Sequence, residues 1–258
     1  MITGVSPKGI GCITAKTFAA HAPALLILAS RTRSRLGEVV EAIRHDHPDT
    51  PIEIVLLDLG SQQDIRRVAQ DIAKLTSKID ILVHNAGIVS QRRQATPEGI
   101  ERLFGTNQIG PFLLTNLLLP LLRKAARESA PGDTRIVFVS SGGHVLSPVR
   151  FSDINFEPRE VPPAEDYRRP LAPGFARAFD GGYLGVVQYA SSKTANILTA
   201  LYLQKHLAKD GIASFALHPG STFLLGYLRR QCIIGTDMHA CSNTKPSTRT
   251  SAGSKTTR

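Results

Sequence analysis

Tyr189 and Lys193 are the residues of this sequence whose types and spacing best suit acid–base chemistry. They lie four positions apart in the segment YASSK, and a helix there would place both side chains on one face. A carbonyl that accepts hydride develops negative charge on its oxygen and takes up a proton. A phenol, with an ordinary pKa of about 10, donates that proton more readily when an ammonium stabilises the phenolate. The pair predicts a proton donor, Tyr189, assisted by Lys193, and a surface pair is the alternative.

A serine at the end of a predicted strand adds a second polar group. Ser141 is the last residue of the segment VSS, and its hydroxyl would donate to the substrate carbonyl as charge develops there. Ser140 competes for the same role. The sequence favours Ser141 as the third catalytic side chain.

A glycine-rich segment near the start, TGVSPKGIG at residues 3–11, opens onto a predicted helix. Glycines let the backbone approach an anion, and the helix N-terminus stabilises negative charge. The segment therefore predicts a pyrophosphate site, although its glycine spacing differs from the usual dinucleotide fingerprint and a plain glycine-rich turn is the alternative. The candidate cofactor-binding residues of this loop are Gly4, Ser6, Lys8, Gly9, Ile10 and Gly11.

The residue that follows the second predicted strand indicates which dinucleotide is bound. An enzyme selective for NAD usually has an acidic residue there, which holds the ribose hydroxyls. This chain has Arg31, which together with Lys8 would pair with the extra phosphate of NADP(H). The sequence predicts NADP(H) as cofactor, and a solvated turn capped by Arg31 is the alternative.

Apolar runs and segments of helical period alternate along the chain. The runs, read as buried parallel strands, are residues 24–29, 52–57, 79–84, 135–140 and 212–217. The helical segments are residues 12–21, 34–45, 62–75, 97–126 and 189–208. Alternation of this kind predicts a doubly wound α/β fold, a Rossmann-type parallel sheet in a single domain over residues 1–228. A long irregular insertion at residues 142–187 interrupts it.

Composition limits the possible partners. The formal net charge is +10, and residues 229–258 carry half of it in a stretch that is predicted to be a basic, disordered tail. Neither a basic recognition helix nor an interleaved aromatic platform accompanies that charge, so no nucleic-acid partner is predicted. The apolar runs are too short for a membrane span. The three cysteines show no paired spacing and no leader is evident, which predicts a cytoplasmic protein.

An ordered series of motifs spans residues 3–220. After TGVSPKGIG come Asp58-Leu59, HNAG from His84, Asn107, VSS, YASSK and HPG from His218. In this order the series resembles the short-chain dehydrogenase/reductase family, and the loop variant resembles fungal members. The resemblance implies a carbonyl–alcohol oxidoreductase acting on a small-molecule substrate, with Tyr189 as general acid or base.

The same resemblance assigns further residues. It implies that Lys193 holds the nicotinamide ribose and that Asn107 maintains a water chain to this lysine. It also implies that the helices of Asn107 and Tyr189 join copies into a homo-oligomer. The residues it adds to the cofactor site are Asp58, Leu59, Asn85, Ala86, Gly87, Asn107, Tyr189, Lys193, Pro219, Gly220 and Thr222.

Two departures from that family lead to a competing prediction. Only Met1 and Ile2 precede the glycine loop, and residues 229–258 do not resemble the lid that family members have there. The alternative function is therefore a catalytically impaired dinucleotide-binding protein of the same fold. A metal site is not predicted, because His84, His144 and His218 lie on different elements without ligand spacing.

Overall fold

A six-stranded parallel sheet forms the centre of the fold. The computed structural model of the protein describes residues 1–157, 159–168, 170–171, 173, 178 and 181–220. The strand order is β3-β2-β1-β4-β5-β6, with every pair parallel. This confirms the predicted doubly wound α/β fold. The strands are β1 (Ile2–Thr3), β2 (Leu26–Ser30), β3 (Ile52–Leu56), β4 (Ile81–His84), β5 (Thr134–Val139) and β6 (Ile212–Leu217).

The helices connect successive strands and cover the sheet. They are α1 (Ile10–Ala19), α2 (Arg33–Asp46), α3 (Gln62–Leu75), α4 (Arg102–Phe104), α5 (Gly110–Arg127) and α6 (Gly185–Leu207). The bounds of α3 and β6 equal the predicted ones, and the other predicted strands differ from the observed ones by a few residues at most. No helix in the described ranges has the length and apolarity that a bilayer crossing requires.

Strand β2 shows why these apolar runs lack alternation. Its side chains point alternately to the two faces of the sheet, and each face is covered by helices. Leu26 and Leu28 pack on one face with residues of α1 and α2. Ile27 and Ala29 pack on the other face with residues of α3, α5 and α6. Since both faces are buried, every position of the strand is apolar or small.

The short first strand lies at the centre of the sheet. Ile2 pairs with Leu28 of β2 on one side and with Val83 of β4 on the other, and it is fully buried. From β1 the chain continues outward through β2 to β3 and then returns to β4 on the other side. The loops that follow β1 and β4 therefore diverge at the carboxyl ends of adjacent strands, where doubly wound proteins bind their ligands.

The predicted helix over residues 97–126 is wrong at its start and in its continuity. Residues 95–101 form a tight turn closed by an antiparallel bridge between Ala95 and Glu101, with Gly99 at φ +79°. Helix α4 follows, then a π-helical turn over Gly105–Ile109, then α5. The extra residue of a π turn displaces a side chain from its ordinary helical position. The displaced segment contains Asn107.

The insertion at residues 142–187 is only partly described. Its described part contains two short 3-10 turns, Gly142–Leu146 and Pro163–Glu165, and α6 begins at Gly185, four residues before the predicted start. The predicted domain boundary at residue 228 and the predicted tail at residues 229–258 lie outside the described residues. Thr222 lies outside them as well.

Candidate active site

The HNAG segment after β4 holds the glycine loop after β1 in place. The Asn85 side-chain amide donates to the backbone oxygens of Thr3 and Gly4, both at 3.0 Å. The backbone amide of Ala86 donates to the Thr3 hydroxyl at 3.2 Å. The Asn85 side chain, predicted to lie beside the cofactor, is therefore bonded to the loop backbone. It fixes the loop that is the candidate pyrophosphate site.

Gly4 is the position of the loop where a side chain is excluded. Its φ is +69°, and a Cβ atom there would lie 2.4 Å from the Cα atom of Ala86. Backbone approaches backbone at this point, so neither neighbour can move aside without breaking the bonds described above. The requirement for glycine has two separable causes, the backbone conformation and the contact.

We expect Gly4→Ala to destabilise the protein by about 3 kcal/mol. This value is the sum of the energetic cost of the left-handed backbone conformation and the cost of the steric overlap with Ala86. Chemical denaturation would measure it. Gly99→Ala is the matched control, because Gly99 has φ +79° and no neighbouring atom within 4 Å of its built Cβ. The control should lose only the conformational part, about 1 kcal/mol. Equal losses in the two variants would contradict the close approach to Ala86.

The far end of the loop is suited to an anion. Helix α1 begins at Ile10, and no side chain caps its N-terminus, which leaves that positive end of the helix dipole available to an anionic group. Lys8 stands in the loop, and Arg31 directly follows β2, the neighbour of β1 in the sheet. Both side chains are exposed, and within the described part of the chain neither forms an ion pair.

Asp58 and Leu59 follow β3 at the same edge of the sheet. The Asp58 carboxylate accepts from the Gly60 amide at 2.9 Å, and the Leu59 side chain is buried in the core beside α3 and α5. The Leu59 side chain thus packs in the hydrophobic core. Of the two predicted cofactor-binding residues, Asp58 is the one whose side chain is partly exposed.

Lys193 lies buried on α6 next to Tyr189. Its side chain is 3% exposed, its Nζ donates to the Val139 backbone oxygen at 2.9 Å, and Nζ lies 5.5 Å from the centroid of the Tyr189 ring. A Cβ atom at Gly87 would be 3.2 Å from the same Nζ, so the HNAG segment also borders this ammonium. The one-face arrangement of Tyr189 and Lys193 predicted from their spacing is present.

The structure distinguishes the two serines of VSS. The Ser140 hydroxyl is buried and donates to the Lys193 backbone oxygen at 2.8 Å, so it ties β5 to α6. The Ser141 side chain is partly exposed and lies close enough to the Tyr189 phenol to lower the pKa of the phenol. Its oxygen also accepts from the Gly143 amide at 3.1 Å. Ser141 is therefore the serine that lies beside the candidate proton donor.

Asn107 joins the HNAG segment to α6. Its Oδ1 accepts from the Ile88 amide at 2.8 Å, while its Nδ2 donates to the Ile88 oxygen at 3.0 Å and to the Ser192 hydroxyl at 3.1 Å. Both amide hydrogens are thus used within the protein. The Asn107 side chain thus connects Ile88, which follows Gly87, to Ser192, which precedes Lys193.

Burial dominates the electrostatics of the pair. It lowers the pKa of Lys193 from 10.5 to about 8, because a buried ammonium loses its hydration. It raises the pKa of the Tyr189 phenol, and the hydrogen bond with Ser141 offsets this only in part. The net lowering of the phenol pKa predicted from the sequence is not found, because desolvation of the phenol is the larger effect. The Lys193 ammonium is directed to the Val139 oxygen.

Glu101 is a residue of this region that the sequence reasoning missed. Its carboxylate is 1% exposed, and within the described residues no cation pairs with it. It accepts hydrogen bonds of 2.8 to 2.9 Å from the amides of Leu103 and Phe104, the Tyr183 hydroxyl and the Gln188 side chain. The carboxylate therefore fixes the helical segment of Asn107 to the start of α6. The sequence carries little signal for this role, since Ser, Thr, Asp and Asn, rather than Glu, are the residues that commonly cap the free amides of a helix.

We expect Glu101→Ala to lower the free energy of unfolding by about 3 to 5 kcal/mol, because four buried donors lose a charged acceptor. Thermal denaturation should show a decrease of roughly 10 °C in Tm. Glu38→Ala removes an exposed glutamate from α2 and should leave Tm nearly unchanged. A Glu101→Ala protein as stable as the Glu38→Ala control would show that the four hydrogen bonds of the Glu101 carboxylate do not stabilise the fold.

The three histidines singled out in the sequence have different hydrogen-bond partners. His84 is buried in β4, with Nε2 at 2.7 Å from the Thr115 hydroxyl and its ring stacked on Phe138. His144 and His218 both contact the turn that begins at Ser141. Among the residues whose positions are described, no group of three or more His, Cys, Asp or Glu side chains could hold a metal ion.

The HPG segment follows β6 beside the end of β5. His218 accepts from the Gly142 amide, and Gly220 has φ +94°, a conformation that favours glycine. Pro219 and Gly220 thus lie at the same edge of the sheet as Ser141. The loops at the carboxyl ends of the strands and helix α6, which contributes Tyr189 and Lys193, together present the groups of the candidate site.

Comparison with known proteins identifies the family. The family model described as short chain dehydrogenase matches residues 1–151. The oxidoreductase fscI of Fusarium equiseti is 35% identical over 222 residues, which cover 85% of each chain. The chain belongs to the short-chain dehydrogenase/reductase family. The resemblance read from the motif series is therefore confirmed.

Further relatives and a solved structure extend this comparison. An uncharacterized oxidoreductase of Schizosaccharomyces pombe is 35% identical over 85% of this chain, and the match covers 59% of the yeast protein. The crystal structure of an uncharacterized protein from Mycobacterium paratuberculosis is similar with a TM-score of 0.62 at 30% identity, covering 86% of this chain and 67% of that one. The chain spans about half to three fifths of the length of several further curated relatives.

Proposed function

We propose that this protein is an NADP(H)-dependent oxidoreductase that interconverts a carbonyl and an alcohol on a small-molecule substrate. The observation that carries the proposal is the convergence of Tyr189, Lys193 and Ser141 near the carboxyl ends of the strands, where the glycine loop begins. Membership of the short-chain dehydrogenase/reductase family supports it, since that family uses nicotinamide dinucleotides.

The three side chains divide the work around the carbonyl oxygen. Bound nicotinamide would supply or accept the hydride. Tyr189 donates the proton that the forming alkoxide requires, and it removes that proton in the reverse direction. Ser141 donates a hydrogen bond to the same oxygen, where negative charge develops during reduction. Lys193 supplies a positive charge that stabilises the phenolate left after proton donation.

Burial keeps the Tyr189 phenol in the protonated form that a proton donor needs in carbonyl reduction, because it raises the pKa of the phenol. In alcohol oxidation the phenol would first have to lose this proton before it could act as a base.

The proposed preference for NADP(H) rests on charge. Lys8 and Arg31 are exposed cations on adjacent loops at the site edge, and the uncapped start of α1 lies between these loops in sequence. A phosphate on the adenine ribose would gain charge-assisted hydrogen bonds from such cations. The residues present therefore fit the phosphorylated dinucleotide.

Arg31→Asp tests this preference directly. We expect the ratio of kcat/KM with NADPH to kcat/KM with NADH to fall by about tenfold to a hundredfold, the value of one or two charge-assisted hydrogen bonds. Arg44→Asp makes the same change of charge at an exposed position in the last turn of α2 and should leave the ratio unchanged. An unchanged ratio in Arg31→Asp would remove Arg31 from the cofactor site.

The proposed activity is tested by incubating the purified protein with NADPH and a panel of aldehydes and ketones. The nicotinamide absorbance at about 340 nm follows turnover, and deuterated NADPH shows whether the label enters the alcohol product. Alcohol that carries the deuterium supports the proposal. Tight binding of NADPH with no turnover across the panel would instead support the alternative, a dinucleotide-binding protein without catalysis.

A further inference from the structure

We propose that His218 is a positioning residue that holds the Ser141 hydroxyl beside Tyr189 by accepting a hydrogen bond from the Gly142 amide, and that protonation of its imidazole breaks this bond. The inference rests on the proposed function, because it concerns the regulation of the same site by pH. The observations that carry it are the contacts of His218 and His144 with the turn that begins at Ser141.

The His218 ring packs directly on the backbone of the serine turn. Its Nδ1 lies 3.0 Å from the Gly142 amide nitrogen. A Cβ atom at Gly142 would lie 3.1 Å from Nε2 and 3.4 Å from Cε1 of the ring. The ring therefore contacts the residue that follows Ser141 without an intervening side chain, and it reaches the turn from the end of another strand, β6.

The rest of the turn transmits this contact to the candidate proton donor. The Ser141 oxygen accepts from the Gly143 amide at 3.1 Å, and a Cβ atom at Gly143 would lie 3.8 Å from Tyr189 Cε1. Gly142 is thus bonded to His218, and Gly143 is bonded to Ser141 and packed against Tyr189. Displacement of the Gly142 amide would change the distance between the Ser141 hydroxyl and the phenol.

Protonation affects the hydrogen bonds of His144 and His218 differently. His144 Nδ1 lies 2.7 Å from the Ser141 carbonyl oxygen, which only accepts, so this nitrogen carries a hydrogen in the neutral and the charged ring alike. His218 Nδ1 faces an N–H donor and must offer a lone pair, which exists only in the neutral ring. Acid therefore leaves the His144 bond intact and breaks the His218 bond.

Among the described residues, the other ionisable groups of the candidate site beside this turn are Tyr189 and Lys193 on α6. Neither of them changes its protonation state between about pH 5 and 7. Burial keeps the phenol neutral and leaves the pKa of Lys193 at about 8, so below pH 7 both groups are protonated. Imidazoles titrate between about pH 5 and 8. Carbonyl reduction needs a protonated Tyr189, so neither of these two groups accounts for a loss of activity in acid.

The kinetic test compares His218→Asn, His218→Ala and the wild type between pH 5.5 and 7.5. Asparagine keeps an acceptor atom near the position of Nδ1 and does not titrate. We expect wild-type kcat to fall about fivefold towards pH 5.5, the value of one hydrogen bond. His218→Asn should keep the high kcat at both pH values, and His218→Ala should show the low kcat at both. KM should change less than twofold, because the Ser141 contact strengthens with the developing charge.

A matched control separates this effect from general acid sensitivity. His45 is 87% exposed on α2, and His45→Asn should retain the wild-type pH profile. Circular dichroism at each pH would verify that every variant stays folded. An acid decline that persists in His218→Asn would overturn the proposal, as would a kcat for His218→Ala equal to that of the wild type at pH 7.5.

A structural measurement keeps the inference testable if the protein turns over no substrate. In ¹⁵N NMR spectra the Gly142 amide should shift in step with protonation of His218 in the wild type, and this shift should be absent in His218→Asn. No turnover with a coupled Gly142 shift would refute the proposed function and retain the hydrogen-bond switch. Turnover together with a Gly142 amide shift that does not follow the protonation of His218 would support the proposed function and refute the switch.

Discussion

Replacing Tyr189 with phenylalanine is expected to lower kcat for carbonyl reduction by about a thousandfold, within the range that positioned acid–base groups contribute. The change removes one oxygen atom and leaves the ring, which packs beside Leu184 and Val187 in a small apolar cluster. Ser141 and Lys193 would keep their bonds to Gly143 and Val139. The forming alkoxide would still receive a hydrogen bond from Ser141 but would have no phenolic proton to accept.

The assay of Tyr189→Phe requires two readouts. NADPH affinity, measured by fluorescence quenching, should stay within about twofold of the wild-type value, because the cofactor cations and the glycine loop are unchanged. Tyr202→Phe is the matched control, since Tyr202 lies on the same helix and is 56% exposed. Its kcat should equal that of the wild type. Turnover by Tyr189→Phe at the wild-type rate would refute the role proposed for this phenol.

Parts of the fold that depend on short-range patterns were predictable from the sequence. The amphipathic period of α3 gave the observed bounds, because burial on one face leaves a direct record in residue type. The apolar run of β6 also gave the observed bounds, although the last three residues of this edge strand are exposed. The one-face arrangement of Tyr189 and Lys193 follows from helical spacing alone. These features require no knowledge of what packs against them.

Features that depend on distant contacts were not predictable in the same way. Asn107 lies in a π turn, and its side chain bonds to Ile88, which is 19 residues away. The Glu101 carboxylate receives two of its bonds from residues more than 80 positions away. The direction of the Tyr189 pKa shift depends on burial and on the Val139 oxygen that orients Lys193. Residue spacing contains no information on these long-range partners.

Lys193→Met is expected to change activity and stability in opposite directions. Turnover should fall at least a hundredfold, because the phenolate loses its neighbouring positive charge. The protein should nevertheless gain about 2 kcal/mol of stability at pH 7. The lowering of the pKa from 10.5 to about 8 corresponds to a penalty of about 3 kcal/mol for burying the ammonium, and loss of the bond to Val139 offsets about 1 kcal/mol of the gain.

The pH dependence of stability identifies the buried ammonium as the cause. In the unfolded chain the lysine keeps its proton up to its ordinary pKa of 10.5, whereas in the folded protein it loses the proton at about pH 8. Between these values the unfolded state binds more protons, so the free energy of unfolding rises with pH. The wild type should gain between about 2 and 3 kcal/mol relative to Lys193→Met from pH 8 to pH 10.

Urea denaturation at pH 7, 8, 9 and 10 would measure both effects. Lys205→Met, an exposed lysine near the end of the same helix, should retain the wild-type rise with pH and gain no stability at pH 7. A Lys193→Met protein that is less stable at pH 7 and keeps the rise would show that the ammonium is hydrated in the folded state. The expected result would instead mean that the short-chain dehydrogenase/reductase fold tolerates a destabilising buried charge at the position where phenolate stabilisation requires it.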